Sequence, residues 1–121
     1  MRALSLLVSC PAGMLDKRAV TLNGTNFSVA YTAEGAVPTH VTISDAHKSH
    51  DGTNWIEVKL LRTVEGAVDF KAGTTPVPKG SDLQVVGTEG KLGIKTTGTS
   101  IGMRAYTSAT ANAVFSVSNI A

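Results

Sequence analysis

Residues 40–62 read HVTISDAHKSHDGTNWIEVKLLR. Two alternating runs flank a polar turn. Before the turn, Val41 and Ile43 alternate with Thr42 and Ser44. After it, Ile56, Val58 and Leu60 alternate with Glu57 and Lys59. A period of two sends one set of side chains to a buried face and the other to water, which suits an antiparallel strand pair and not a helix. Asp51-Gly52 supplies the turn between them, because glycine reaches the positive φ that a tight reversal needs. The stretch therefore predicts a hairpin, and a hairpin needs a larger sheet to be stable.

The same pattern recurs along the chain. Candidate strands lie at 3–9, 18–22, 26–32, 40–45, 54–62, 67–71, 83–87, 92–96, 101–107 and 113–120. In the last of these, Phe115 and Val117 oppose Ser116 and Ser118. Turn signals separate the runs: Asn23-Gly24, Glu34-Gly35, Glu65-Gly66, Pro78-Lys79-Gly80, Glu89-Gly90 and Thr97-Gly98. Helical spacing is nearly absent, since every longer window is broken by Gly, Pro or a β-branched cluster. About eight to ten short strands at this spacing predict an all-β fold, an antiparallel, jelly-roll-like β-sandwich. Its expected core is Val41, Ile43, Ile56, Val58, Leu60, Val85, Phe115 and Val117. Residues 73–81, with Pro76 and Pro78, are the expected irregular loop.

Composition narrows the function classes. At 121 residues the chain is one domain of ordinary size. Only 17% of residues are charged, against about 25% in a typical soluble domain. Such a surface is neutral enough to be covered by a partner. Net charge is +2 and the basic residues are scattered, with no run and no interleaving with aromatics. That argues against a nucleic-acid groove. No stretch approaches the roughly 20 apolar residues of a membrane helix, so no membrane partner is expected. Cys10 is the only cysteine, so no intramolecular disulfide can form and the chain reads as one that folds in a reducing cytoplasm.

No motif for catalysis emerges. Asp45, His47, His50 and Asp51 crowd one loop and are of the types that bind zinc, but their spacing fits no ligand frame and no cysteine is near. A solvated connection is the simpler reading. Ser, His and Asp occur without G-x-S-x-G. Asp45, Asp51, Glu57 and Asp69 offer carboxylates without any pairing signal. GTEGKLG at 87–93 lacks the glycine spacing and the hydroxyl residue of a phosphate loop and reads as a hairpin turn. The expectation is therefore a protein that is not an enzyme, with no catalytic residue, no cofactor and no metal.

Two features point instead to contacts. The segment 1–14 begins MRALSLLVSC, and Pro11-Ala12-Gly13 sets it apart from a single domain at 15–121. Leu7-Val8-Ser9-Cys10 looks like a lipoprotein cleavage box, but the apolar run before it is shorter than a signal core. A β-strand is the expectation. A free apolar strand is an aggregation hazard, so it pairs either with its own sheet or with a neighbouring subunit. The low surface charge favours the second, which makes Leu4, Leu6, Leu7 and Val8 candidate partner contacts. Trp55 and Tyr106 are the other candidates, as an exposed aromatic platform. Period-two alternation places Trp55 opposite Ile56 and Val58, on the outer side of its strand.

Ser49–Val58, SHDGTNWIEV, resembles the S-x-D-G-x-x-W-x-x-V hairpin of small β-sandwich decoration, or cement, proteins of tailed-bacteriophage capsids. The tail MRAYTSATANAVFSVSNIA resembles their closing hairpin and AVTLNGTNFSVAYTAEG their early one. The resemblance covers about half the chain in pieces, and 1–9 lies outside it. It implies a sandwich on the outer surface of a virion, made in the host bacterial cytoplasm, binding the major capsid protein or another virion protein, usually as a homo-oligomer and without a cofactor. Similar hairpins occur in carbohydrate- or receptor-binding modules of tail fibres, which is the alternative. A third comparison, with RNA-phage coat proteins, rests on residues 40–63. It ranks lower, because the Gly-rich segment after Leu83 is poorly suited to the helices with which those coats end.

Overall fold

A computed structural model describes residues 5–63 and 66–119. The described chain is all-β. In order, the strands are β1 (Ser5–Ser9), β2 (Ala19–Asn23), β3 (Ser28–Tyr31), β4 (His40–Thr42), β5 (His47–Lys48) and β6 (Asn54–Leu60). After a 3-10 turn at Leu61–Thr63 come β7 (Ala67–Lys71), β8 (Leu83–Val86), β9 (Lys91–Ile94), β10 (Met103–Ala105) and β11 (Val114–Asn119). The first six form one sheet. A three-stranded sheet, β10-β11-β7, and the β8–β9 hairpin form the rest.

The alternating run at Asn54–Leu60 is the spine of the larger sheet. One edge of β6 pairs with β1 and the other with β5 and β4, all antiparallel. Where β4 gives way to β5, the Ile43 N–H still donates to the Glu57 carbonyl at 2.9 Å, but the Glu57 N–H turns to the Ser44 hydroxyl at 3.1 Å, and Asp45 accepts the Asp16 N–H at 2.9 Å. The strand expected at 40–45 therefore stops at Thr42, and a separate two-residue strand follows. A short polar side chain that can bond the backbone competes with the ladder in this way.

The sheet also closes on itself. β1 pairs with β6 over residues 5–9, and its last residue meets β3 in a parallel bridge, Ser9 against Ser28. β3 pairs with β2, β2 with β4, and β4 with β6. The ring encloses a small apolar cluster of Val8, Met14, Val20, Val29, Ile56 and Val58. The described part of the segment expected as an arm at 1–14 takes part in this ring. Within this chain Ser5–Ser9 is a full member of its own sheet, with Val8 only 2% exposed. Burying Val8 and bonding one whole strand edge outweigh the fraying that a chain end otherwise suffers.

A larger cluster lies between the six-stranded sheet and the two smaller ones. Ala19 and Val41 enter it from one side, and Phe70, Leu83, Val85, Leu92, Phe115 and Val117 from the other. The two smaller sheets are joined through bridges from Asp82 to Arg104 and from Ala72 to Leu92. The core expected as one is thus two. Val41, Val85, Phe115 and Val117 sit in the larger cluster with Ile43 packed against it, Ile56 and Val58 sit in the smaller one, and Leu60 is only partly buried. Alternation within a strand tells which residues share a face but not which of two cores that face meets. Residues 73–81 form the irregular connection expected, pinned where Val77 bridges Ala109.

Candidate interaction surface

Exposed apolar side chains stand where β1 closes the ring. Alternation along β1 buries Val8 and turns Leu7 outward, where it is 60% exposed opposite Glu57. The neighbouring cross-strand pairs are Ser5 with Lys59 and Ser9 with Trp55. Leu6 is 41% exposed. On the other flank, Phe27 immediately precedes β3, whose first residue Ser28 bridges Ser9. Phe27 is 60% exposed and its φ is 50°. A bulky aromatic in the left-handed region carries strain, and such strain concentrates at binding sites.

The hairpin between β5 and β6 fixes the far end of this surface. Gly52 has φ 89° in the Asp-Gly turn. Asp51 accepts the Thr53 N–H at 2.9 Å and the Ser49 hydroxyl. These bonds, the Ser49 hydroxyl first, hold the Asp51 carboxyl below the usual carboxylate range. Trp55 stands across from His47, and its Nε1–H donates to Ser49 Oγ at 3.3 Å. The indole is half-buried with its polar edge occupied, so its ring is positioned by the turn that precedes it.

Each sequence-derived candidate can now be placed. Leu4 lies outside the described residues. Leu6 and Leu7 are available at the surface and Val8 is not, being part of the inner cluster. Trp55 belongs to the six-stranded sheet, whereas Tyr106 follows β10 on the three-stranded sheet and is 61% exposed. The two aromatics expected as one platform thus stand on different sheets. In the polar loop, Asp45 serves the Asp16 N–H and Asp51 the turn, while His47 and His50 are exposed. Among the described residues no three His, Cys, Asp or Glu side chains come together as metal ligands would.

Two grooves escaped sequence reasoning. One, of about 640 Å³, runs beside the β8–β9 hairpin past Glu34, Gln84, Val86, Lys91 and Thr96. Gln84 is buried in its wall and accepts the Thr96 and Gly98 N–H groups. The other, of about 460 Å³, is lined by Leu22, Val37, His40, Leu60, Ile101 and Met103 among others. Burial pushes the His40 imidazole below its ordinary value, and one ring nitrogen is bonded to Thr39 Oγ1 at 2.8 Å. Each groove draws its walls from several distant segments, so no single stretch signals it. The exposure of Phe27 is also new. Its only sequence signal was an aromatic next to Asn26 in a turn-rich segment.

No family model matches the chain, and no curated protein matches its sequence. Among solved structures, the fold is similar to the head fiber gp8.5 N base of bacteriophage phi29. The TM-score is 0.70 at 14% sequence identity, covering 95% of this chain and 92% of that one.

Proposed function

We propose that this chain is a non-enzymatic structural protein of a bacteriophage virion, a capsid decoration protein that binds the outer surface of the major capsid lattice. The observation that carries the reading is the end-to-end likeness in fold to the base of a phage head fibre, a likeness that leaves little of either chain unmatched. Two features of the chain support it. The charged share is low, and Leu7 on β1 and Phe27 just before β3 stand exposed beside the seam where those two strands bridge. Large apolar side chains exposed on a protein surface are normally used at interfaces. Leu7 and Phe27 act as apolar anchors, with Glu57, Lys59 and the half-buried Trp55 around them.

The test is co-sedimentation of the purified protein with capsids of its own phage that lack it. Saturable binding is expected, weakened about ten-fold or more by Leu7→Asp or Phe27→Asp, because each places a charge in a desolvated contact. Absence of binding by the folded wild-type protein rejects the reading. A second reading has the chain as the base of a fibre, since the similar structure is itself named as a head fibre base. Electron microscopy of the decorated particles separates the two, as a fibre base must carry a projecting shaft.

A further inference from the structure

We propose that Asn23 is a site of self-modification, where the Gly24 main-chain nitrogen displaces the Asn23 side-chain amide and an aspartate or isoaspartate is left in its place. The chain has five asparagines, and only Asn23 is followed by glycine. Asn23 closes β2 opposite Ser28 of β3, and the exposed turn of residues 24–27 joins the two strands.

The turn prepares the reaction in three ways. Asn23 Oδ1 accepts the Thr25 N–H at 2.9 Å, which folds the side-chain carbonyl over the main chain ahead of it. The same N–H steadies the negative charge that this oxygen takes up when its carbon is attacked. Among the described residues no hydrogen bond holds the Gly24 N–H, so its proton can pass to a solvent base. Gly24 also has no side chain to obstruct the approach. The nitrogen lone pair forms a bond to Asn23 Cγ, the Cγ–Nδ2 bond breaks, and the amide group takes a proton from solvent and leaves as ammonia. The product is a five-membered cyclic imide. Water then opens it at either carbonyl. One opening gives aspartate with a normal main chain. The other routes the main chain through the side-chain carbon as isoaspartate.

Two other turns isolate what matters. Asn26 accepts the Ser28 N–H at 3.3 Å in the same manner, but Phe27 follows it and crowds the nitrogen. Asp51 accepts the Thr53 N–H at 2.9 Å ahead of Gly52, but its carboxyl is held ionised, and an ionised carboxylate resists attack and lacks a good leaving group. Among the described residues Asn23 combines the donor, the glycine and a neutral side-chain amide. The consequence falls on the β2–β3 turn. Either product adds a negative charge to the turn that carries Phe27. Isoaspartate also lengthens the main chain opposite Ser28, which itself bridges Ser9 of β1.

The experiment is peptide mass spectrometry of the folded full chain after storage in neutral and in mildly alkaline buffer, with isoaspartate detected by enzymatic methyl transfer. The Asn23 peptide should gain one mass unit, faster at the higher pH, while the Asn26, Asn54 and Asn112 peptides keep their native mass. Gly24→Ala should slow the change about ten-fold or more, by hindering the attack. A Cβ at Gly24 meets nothing within 4 Å, so that variant keeps the fold. In stored wild type the amide NMR signals of Ser9, Phe27 and Ser28 should move and those of β11 should not. A change seen only in urea-unfolded protein, an equal rate at Asn26, a Gly24→Ala rate equal to wild type, or unmoved turn signals in the modified protein would overturn the proposal.

Discussion

Gly90 sits in the β8–β9 turn with φ 67°, and its carbonyl accepts the Ala19 N–H at 2.7 Å. A Cβ there would meet the Ala19 carbonyl oxygen at 2.4 Å and its nitrogen at 2.9 Å, and both belong to rigid main chain. Gly90→Ala should therefore cost about 2–4 kcal/mol in urea unfolding, through strain plus loss of the contact between the hairpin and the large sheet. A change below experimental error would show that the hairpin can shift away. His40 makes a second residue-scale case. Burial lowers its affinity for a proton in the folded state, while the unfolded chain keeps the ordinary value. As pH falls from about 7 to 5, the unfolded state takes up a proton the folded state resists, so stability declines over that interval. The Asp51 and Asp82 carboxyls have lowered affinities too, but theirs act at more acid pH. The melting temperature of wild type should fall from pH 7 to 5 more steeply than that of His40→Asn. Parallel profiles would remove His40 as the cause.

At the scale of elements, β1 carries two kinds of residue with opposite duties. Val8 fills the ring and Leu7 faces out. Val8→Ala should cost about 1–3 kcal/mol, whereas Leu7→Asp should stay within about 0.5 kcal/mol, as surface changes do. Chemical denaturation of the two variants gives the comparison, and equal losses would contradict the alternation seen in β1. Removing residues 1–10 takes away the strand that joins β6 to β3, opening the ring and leaving Val20, Val29, Ile56 and Val58 facing a gap. The truncated protein should lose cooperative folding. A truncated chain with native circular dichroism and a sharp melt would restore the view of this segment as a detachable arm.

Among the described residues there are two apolar clusters, and β2 ties them together. Ala19 enters the larger cluster and Val20, its neighbour, the smaller. β6 and β4 do the same across their shared ladder, since Val41 faces the larger cluster and Val58 the smaller. One cluster cannot melt without exposing strands that line the other. Calorimetry should show a single transition with equal calorimetric and van't Hoff enthalpies. Phe70→Ala, in the larger cluster, should lower that one transition by about 3–5 kcal/mol of stability and not split it. Two resolved transitions would mean that the clusters unfold independently.

By itself the sequence determined what depends on neighbours along the chain. Alternation in 40–62 and 113–118 fixed strand class and inward faces, and Asp51-Gly52 fixed a reversal, because side-chain direction and turn torsions are local properties. The candidate surface was partly legible for the same reason. Leu7 was marked by lying in an apolar run at the start of the chain, and Trp55 by opposing Ile56 and Val58. Only the tertiary structure decided that Leu7 is free while Val8 is buried, that Tyr106 and Trp55 stand on different sheets, and that Phe27 flanks the closing strand. It also decided that β1 completes its own ring. An apolar strand with a free edge gains similar hydrogen bonds from any partner edge. Which edge it takes depends on where β3 and β6 lie in space, and no alternation pattern within residues 5–9 carries that information.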